Sequence, residues 1–335
     1  MKALELAEFG ISNLREVTLP EPLVAAGQVL VRLRAASVNY RDFMIAEGLF
    51  APPEDLPLIP LSDGAAEVVE VGQGASNLQV GDLVTPLFFP QWLTGDALGD
   101  ERSVSTGLEA PGCLREFGVF DESAVVKVAD HLSAQDAACF PCAGLTAWSA
   151  LVTTSGISPE DVVLILGTGG VSIFALQFAK AMGASVIVAS SSDQKLAHAQ
   201  ELGADHGINY QSIPEWGSAA KDLTGGRGVD IVVEVGGTAT LKQSFKAIRR
   251  GGHIPIIGAL SGAHMDIAVY ELIMSNAHLH GIGVGNRESY KDMMRFVGEH
   301  RVSPIIHKIY RFDDAAVAMQ AIDEGEHFGK LVLSY

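Results

Sequence analysis

Residues 162–193 constrain this chain more than any other stretch. Val162 to Leu166 is an uninterrupted apolar run that stops at a glycine cluster, Gly167, Gly169 and Gly170. Val171 to Met182 then carries apolar residues at helical spacing, and Val186 to Val188 forms a second β-branched run. Strand, tight turn, helix, strand is the context in which a G-x-G-x-x-G string becomes a dinucleotide fingerprint rather than a structural glycine turn. Gly167 permits the turn, and Gly169 lets the backbone approach a pyrophosphate. The helix N-terminus offers unpaired N–H groups and a positive dipole end. Ser172 stands where the third glycine is usual and is small enough to keep helix and strand close.

The end of the second strand bears on which dinucleotide. A site for the 2′-hydroxyl form places Asp or Glu about 20 residues after the first glycine. Here the strand runs into Ala189, Ser190, Ser191 and Ser192 with no acid at its tip. Asp193 comes late and is expected to cap the next helix, Gln194 to Leu202, with Lys195 in its first turn. Hydroxyls and a lysine suit a 2′-phosphate, which a carboxylate would repel. The expectation is NADP(H).

The chain of 335 residues has room for two domains, and 48% hydrophobic with 19% charged residues fits a globular protein. Its formal charge of −17 disfavours nucleic acid and anionic membranes as partners. The acid-bearing start and the lack of a long apolar run argue against a signal peptide or a membrane span, so a cytoplasmic protein is expected. Three cysteines are too few for a disulfide framework. Cys139-Phe-Pro-Cys142 spells C-x-x-C but follows a helical stretch, which favours buried structural thiols over a redox pair.

From residue 160 onward strands and helices alternate. Candidate strands are 162–166, 186–189, 206–209, 229–233, 252–257 and 279–284, and helices at about 170–182, 193–202, 214–223 and 240–248 separate the first five. This pattern predicts an α/β fold with a doubly wound, parallel six-stranded sheet. Residues 1–125 show short β-type runs (Val29–Ala35, Ala65–Val71, Leu83–Pro86, Leu114–Val119) among Gly and Pro turns, which predicts a mainly-β domain. A long loop, 88–113, carries Phe88, Phe89 and Trp92, as an apolar lid or as local core. The strand-like end at Lys330 to Leu333 is expected to return to the first domain, giving 1–125 completed by 300–335, and 126–299 as the nucleotide-binding domain.

These motifs together resemble the medium-chain dehydrogenase/reductase superfamily over essentially the whole chain. The matching strings are Ala35-Ala-Ser-Val-Asn-Tyr-Arg-Asp42, Gly64-Ala-Ala-Glu-Val-Val-Glu-Val-Gly72, Val80-Gly-Asp-Leu-Val84, Gly144-Leu-Thr-Ala-Trp148, Gly203-Ala-Asp-His-Gly-Ile-Asn-Tyr210 and the terminal Gly-Lys-Leu-Val-Leu. The pattern is most similar to the zinc-independent quinone oxidoreductase-like and enoyl reductase-like branches. The resemblance implies a Rossmann domain beside a GroES-like one, and a homodimer paired through strand 279–284. It also implies a cofactor cradle. Thr146 would lie near the nicotinamide; Gly169, Gly170 and Val171 at the pyrophosphate; Ser190, Ser191, Lys195 and Tyr210 around the 2′-phosphate. Gly258, Ile282 and Val284 would line the strand ends beside the nicotinamide, and Lys330 would approach the cofactor from the C-terminal segment.

The departures from the zinc-dependent relatives are informative. Their metal-binding Cys corresponds to Asn39 and their metal-binding His to Ser62, while Cys142 retains the third position. One thiolate is not a tetrahedral zinc site, and the four clustered cysteines of a structural zinc are missing, since residues 88–115 contain Cys113 alone. No metal is expected, with a zinc at Asp63, Cys142 and another group as the alternative. Without a Lewis acid, hydride delivery to a quinone or to the β-carbon of a conjugated carbonyl asks less of the protein than reducing a simple ketone. Such a site must orient substrate and donate hydrogen bonds to an oxyanion. Asn39 and Tyr40 are the candidate catalytic donors, with Ser62 third. The resemblance thus implies an NADPH-dependent reductase of quinones or enones acting on a small-molecule substrate. An alcohol dehydrogenase or aldehyde reductase, and a nucleotide-binding protein with little catalysis, are the alternatives.

Overall fold

The computed structural model describes residues 1–50, 56–262, 264, 267 and 269–335. The chain divides into two compact units, Met1–Leu145 with Gly285–Tyr335, and Thr146–Val284. In chain order the strands are β1 (Lys2–Leu6), β2 (Leu14–Thr18), β3 (Gln28–Val38), β4 (Asp63–Val71), β5 (Leu83–Pro86), β6 (Phe117–Asp121), β7 (Val125–Lys127), β8 (Val162–Leu166), β9 (Ser185–Ser190), β10 (His206–Asn209), β11 (Val229–Val233), β12 (Ile248–Ile256), β13 (His278–Gly281), β14 (Ile306–Arg311) and β15 (Lys330–Ser334). The helices are α1 (Tyr40–Ala46), α2 (Ala134–Ala137), α3 (Leu145–Trp148), α4 (Gly170–Ala181), α5 (Asp193–Glu201), α6 (Trp216–Leu223), α7 (Leu241–Ala247), α8 (Val269–Ser275), α9 (Arg287–His300) and α10 (Ala315–Glu324).

The second unit holds a six-stranded sheet in the order β10-β9-β8-β11-β12-β13 with parallel pairing throughout. The order reverses between β8 and β11, which makes their carboxyl ends the topological switch point of a doubly wound sheet. Near-continuous apolar runs such as Val162–Leu166 and Val229–Val233 are buried because helices cover both faces of such a sheet. The turn after β8 needs Gly167, whose φ of +72° is left-handed backbone. Ser172 does more than fit: its hydroxyl donates to the Leu166 carbonyl at 2.7 Å, pinning helix α4 to its own strand.

The local readings shift at several places; β12 starts at Ile248 rather than 252, directly after α7. Ser192, not Asp193, caps α5, its hydroxyl accepting the Lys195 N–H at 3.3 Å. Asp193 is the helix's first residue, and Asn209 Nδ2 donates to its carboxylate at 2.7 Å. The last strand stops at Gly281 rather than 284, since Val284 takes a φ of +60° that a strand cannot continue through. Helix α8 lies between β12 and β13, where no helix was expected; none of its residues is buried, so no amphipathic period announced it.

The first unit is built on β3. A seven-stranded sheet runs β14-β15-β3-β4-β5-β7, with β6 also pairing β3. Its core includes Val31, Leu33, Val38, Phe43, Leu61, Leu114, Met319 and Leu333. This unit takes in more chain than the expected 1–125 and 300–335. Strand β7 pairs with β5, and Tyr290 on α9 shares a 2.7 Å hydrogen bond with Thr85 on β5, so residues 126–145 and 285–299 fold with it. Phe88 and Phe89 in the long loop are buried edge-to-face, 4.6 Å apart, with the Arg41 guanidinium over Phe88. They are local core rather than a lid. Among the described residues no helix is long and apolar enough to cross a membrane.

Candidate active site

In the first unit, strand register brings together residues far apart in sequence. Leu331 pairs with Val38 across β15 and β3, and Ser37 pairs with Asp63 across β3 and β4. Lys330, Asn39 and Ser62 are the next residues outward on each strand, so all three meet at one corner of the sheet. Asn39 also begins α1, with Asp42 in the first turn accepting the Asn39 N–H at 2.8 Å and the Ser62 N–H at 3.3 Å. That carboxylate ties the start of the helix to the start of β4.

A buried chain of polar groups follows. Lys330, 3% exposed, donates to the Val38 carbonyl at 2.9 Å and to Asn39 Oδ1 at 2.7 Å. Asn39 Nδ2 lies 3.5 Å from Ser62 Oγ, and Ser62 Oγ donates to Asp63 Oδ1 at 2.8 Å. The second Asp63 oxygen accepts the Cys142 N–H at 3.1 Å. Burial pushes the Asp63 carboxyl up, and the Lys330 charge is the first influence opposing it. Burial likewise raises Asp42 to about 6, against the pull of Arg41.

This corner departs from expectation at Ser62. Ser62 is fully buried and its proton is committed to Asp63, which removes it as a donor to substrate. Lys330 is buried rather than solvated, and two of its three donors go to Val38 and Asn39. Tyr40 is half-buried, its ring packed toward Phe43, and its hydroxyl has no protein partner among the described residues.

These groups do not fit zinc. The positions that hold the metal in zinc-dependent relatives carry an amide, a hydroxyl and a thiol, and a lysine ammonium is already bonded to the amide. A divalent cation there would meet like charge. Among the described residues no group of three or more His, Cys, Asp or Glu could hold a metal ion. Of the C-x-x-C stretch, Cys139 precedes and Cys142 lies within a π-helical turn, Phe140–Gly144, and burial pushes the Cys139 thiol up to about 12, as packed thiols require.

In the second unit, parallel pairing lines up every strand's carboxyl end along one edge. Gly167, Gly169 and Gly170 follow β8, with Val171 in the first turn of α4. Gly169 is the N-cap and brings no side chain over the open N–H groups. Ser190 ends β9 and Ser191 follows it, and the Tyr210 N–H bonds the Ser190 carbonyl at 3.1 Å, setting Tyr210 beside them. Lys195 is in the first turn of α5. Gly258 and Ile282 lie past β12 and β13, and the Ile282 N–H bonds the Ile256 carbonyl at 2.9 Å. A Cβ on Gly258 would fall 2.2 Å from the Val235 carbonyl oxygen, so only glycine allows that approach. Thr146 is buried in α3. An edge of open backbone N–H groups, hydroxyls and glycines fits a dinucleotide phosphate chain.

Sequence reasoning missed Glu234, at the end of β11. It is fully buried, and Oε1 accepts the N–H groups of Gly236 at 2.8 Å and Gly237 at 3.1 Å together with the Thr240 hydroxyl. Oε2 accepts from Ser244 Oγ. It fixes the loop at the switch point. An acid ending an apolar strand before Gly236-Gly237 was the available signal.

Residues 25–133 match the alcohol dehydrogenase GroES-like domain family and residues 170–299 the zinc-binding dehydrogenase family. The chain is 38% identical to a zinc-type alcohol dehydrogenase-like protein of Schizosaccharomyces pombe, over 98% of this chain and 96% of that one. It is 29% identical to a chloroplast envelope quinone oxidoreductase homolog of Arabidopsis thaliana, over 99% and 98%. A crystal structure of a putative alcohol dehydrogenase from Sinorhizobium meliloti 1021 superposes with a TM-score of 0.94 at 36% identity, covering 100% of this chain and 98% of that one. With both domain families matched in order and similarity running end to end, the chain belongs to the medium-chain dehydrogenase/reductase superfamily of oxidoreductases.

Proposed function

We propose that the protein is an NADPH-dependent, zinc-independent reductase of quinones or α,β-unsaturated carbonyls. The observation that carries this reading is the Lys330–Asn39–Ser62–Asp63 chain, in which Asn39 and Ser62 stand at two of the metal-ligand positions of zinc-dependent relatives and Lys330 is a fixed cation beside them. A reduced nicotinamide, when bound, supplies the hydride. Asn39 Nδ2 and the Tyr40 hydroxyl donate to the substrate oxygen as negative charge builds there, and the tyrosine can pass its proton to it. Two such donors suffice for an enolate or a hydroquinone oxygen, whose charge is delocalised. They are poor replacements for a metal on a saturated ketone.

The choice of NADP(H) rests on Ser190, Ser191, Lys195 and Tyr210 clustering past β9 and β10, and on Asp193 being turned to Asn209. A homodimer through the β13 edge is part of the same reading. The exposed apolar residues Val269, Tyr270, Ile273 and Met274 of α8 precede that edge strand and give a second copy an apolar surface to cover. A reducing, cytoplasmic setting suits three free thiols.

The test is nicotinamide oxidation at 340 nm with NADPH and NADH against 2-cyclohexenone, 1,4-benzoquinone and butanal, with zinc measured on the same chelator-free sample. Turnover of enone or quinone without stoichiometric zinc supports the proposal. An alcohol dehydrogenase, the reading favoured by similarity to the zinc-type relatives, would show aldehyde turnover alone with one zinc per chain. Tight NADPH binding without turnover would leave a nucleotide-binding protein.

A further inference from the structure

We infer that Lys330 is a positioning residue for the reaction: its ammonium fixes which way the Asn39 amide faces. This rests on the reading of Asn39 as a donor to the substrate oxygen and adds a separate claim about what orients it. An ammonium has donors and no acceptor, so the 2.7 Å contact from Lys330 Nζ must be made to the amide oxygen of Asn39. Rotating the amide by half a turn would set an NH2 group against an NH3+ group inside the protein. The lysine therefore favours one of the two amide orientations, acting with the capping-box N–H at Asp42 and the Asp63 carboxylate, which favour the same one.

The selected orientation points Nδ2 away from the lysine, toward Ser62 Oγ and the Asp63 carboxylate. The Ser62 proton is directed onward to Asp63, so each group from Lys330 to Asp63 donates in the same sense. Such a chain, positive at one end and negative at the other, polarises the amide between them and strengthens its N–H groups as donors. The other end of Asn39 is held as well, its N–H bonded to Asp42. The lysine has no surface role that competes. Its aliphatic stem is buried and its second bond, to the Val38 carbonyl at 2.9 Å, anchors the ammonium to the strand that leads into Asn39. Register makes this placement obligatory, since Leu331 pairs with Val38.

The test compares Lys330→Met, Lys330→Gln, Lys330→Arg, Asn39→Ala and the Lys330→Met/Asn39→Ala double variant. Three quantities are read: steady-state kinetics with NADPH and 2-cyclohexenone or 1,4-benzoquinone, the NADPH dissociation constant by fluorescence titration, and the Asn39 side-chain amide in 15N-asparagine-labelled protein without ligand. Lys330→Met is expected to lower kcat at least about 30-fold with the NADPH dissociation constant within about twofold of wild type, Lys330→Arg recovering most of the loss. The double variant should be no slower than Asn39→Ala, because the lysine acts through the asparagine. The Asn39 amide resonances should move or broaden in Lys330→Met and Lys330→Gln and stay in place in Lys330→Arg. Lys330→Gln, neutral and able to hydrogen-bond, separates loss of the cation from loss of the fold. Amide resonances unchanged in both neutral variants would overturn the inference whatever the kinetics show. So would a tenfold weaker NADPH affinity with kcat unchanged, the behaviour of a nucleotide ligand. Full activity in Asn39→Ala with shifted amides in Lys330→Met would instead sink the donor reading and leave the lysine's orienting effect standing.

Discussion

Replacing Glu234 separates two ways of losing a buried carboxylate. In Glu234→Ala four donors lose their acceptor, yet the two hydroxyls have somewhere to turn. Thr240 Oγ1 already reaches the Gly237 carbonyl at 3.1 Å and Ser244 Oγ the Thr240 carbonyl at 3.4 Å. The N–H groups of Gly236 and Gly237 have no such second acceptor at hand. At about 1–3 kcal/mol for each buried group left unpaired, the alanine variant should lose about 4 kcal/mol of stability. In Glu234→Gln the amide oxygen can keep Gly236, Gly237 and Thr240, while the amide nitrogen faces Ser244 Oγ. A serine hydroxyl can accept as well as donate, so this variant forfeits only the charge assistance, about 1 kcal/mol. The assay is urea unfolding followed through Trp216, which lies in the core of the same unit, with NADPH affinity titrated alongside. The glutamine variant should bind NADPH within a fewfold of wild type and the alanine variant at least tenfold more weakly, because the loop at the switch point loosens. Equal destabilisation by the two substitutions would refute the hydroxyl-rotation argument. A loss under about 1 kcal/mol in Glu234→Ala would refute the claim that the carboxylate holds the loop.

Asp42 gives a pH-dependent test. Its folded-state value of about 6 lies above the ordinary 3.8, so the folded protein binds that proton more tightly than the unfolded chain. The associated stability is present below about pH 4 and is lost as pH rises through 6. The unfolding free energy of wild type minus that of Asp42→Asn should therefore fall by about 2.4 kcal/mol between pH 4 and pH 7.5. A difference that rises with pH would mean that Arg41 outweighs burial. Cofactor preference is tested by Ser191→Asp with Lys195→Ala. The ratio of kcat/KM for NADPH over NADH should drop at least tenfold, about 1.4 kcal/mol, as a carboxylate replaces groups that favour a 2′-phosphate. An unchanged ratio would place the 2′-phosphate determinants elsewhere.

Several parts of this molecule are written locally. The apolar run ending in Gly167, the helical spacing of α4 and the β-branched β9 are properties of neighbouring residues, and strand bounds in the second unit came out within a few residues. The errors are of local origin too. Ser192 and Asp193 are both good caps, and a one-residue choice between them depends on backbone angles that composition does not carry. Helix α8 buries nothing, so it leaves no periodic trace.

The corner at Asn39 was only half legible. Sequence identified Asn39 and Ser62 as departures from a zinc site, with Cys142 retained, and Lys330 as notable, but it assigned the serine to the substrate and did not foresee the lysine's bond to Asn39. Lys330 and Asn39 stand 291 residues apart, and nothing in either neighbourhood encodes their contact. The contact follows from the register of β15 on β3, and a slip of one residue would turn Lys330 to the opposite face of the sheet. Register is fixed by the whole core at once, through Leu331, Leu333, Val38 and Val31 packing on one side. By itself, then, the sequence determined the doubly wound sheet, its glycine turn and the loss of the metal's ligands, because turn chemistry and periodicity are short-range. The tertiary structure alone decided what stands in the metal's place, because a buried ammonium and carboxylate find their partners only when distant strands align.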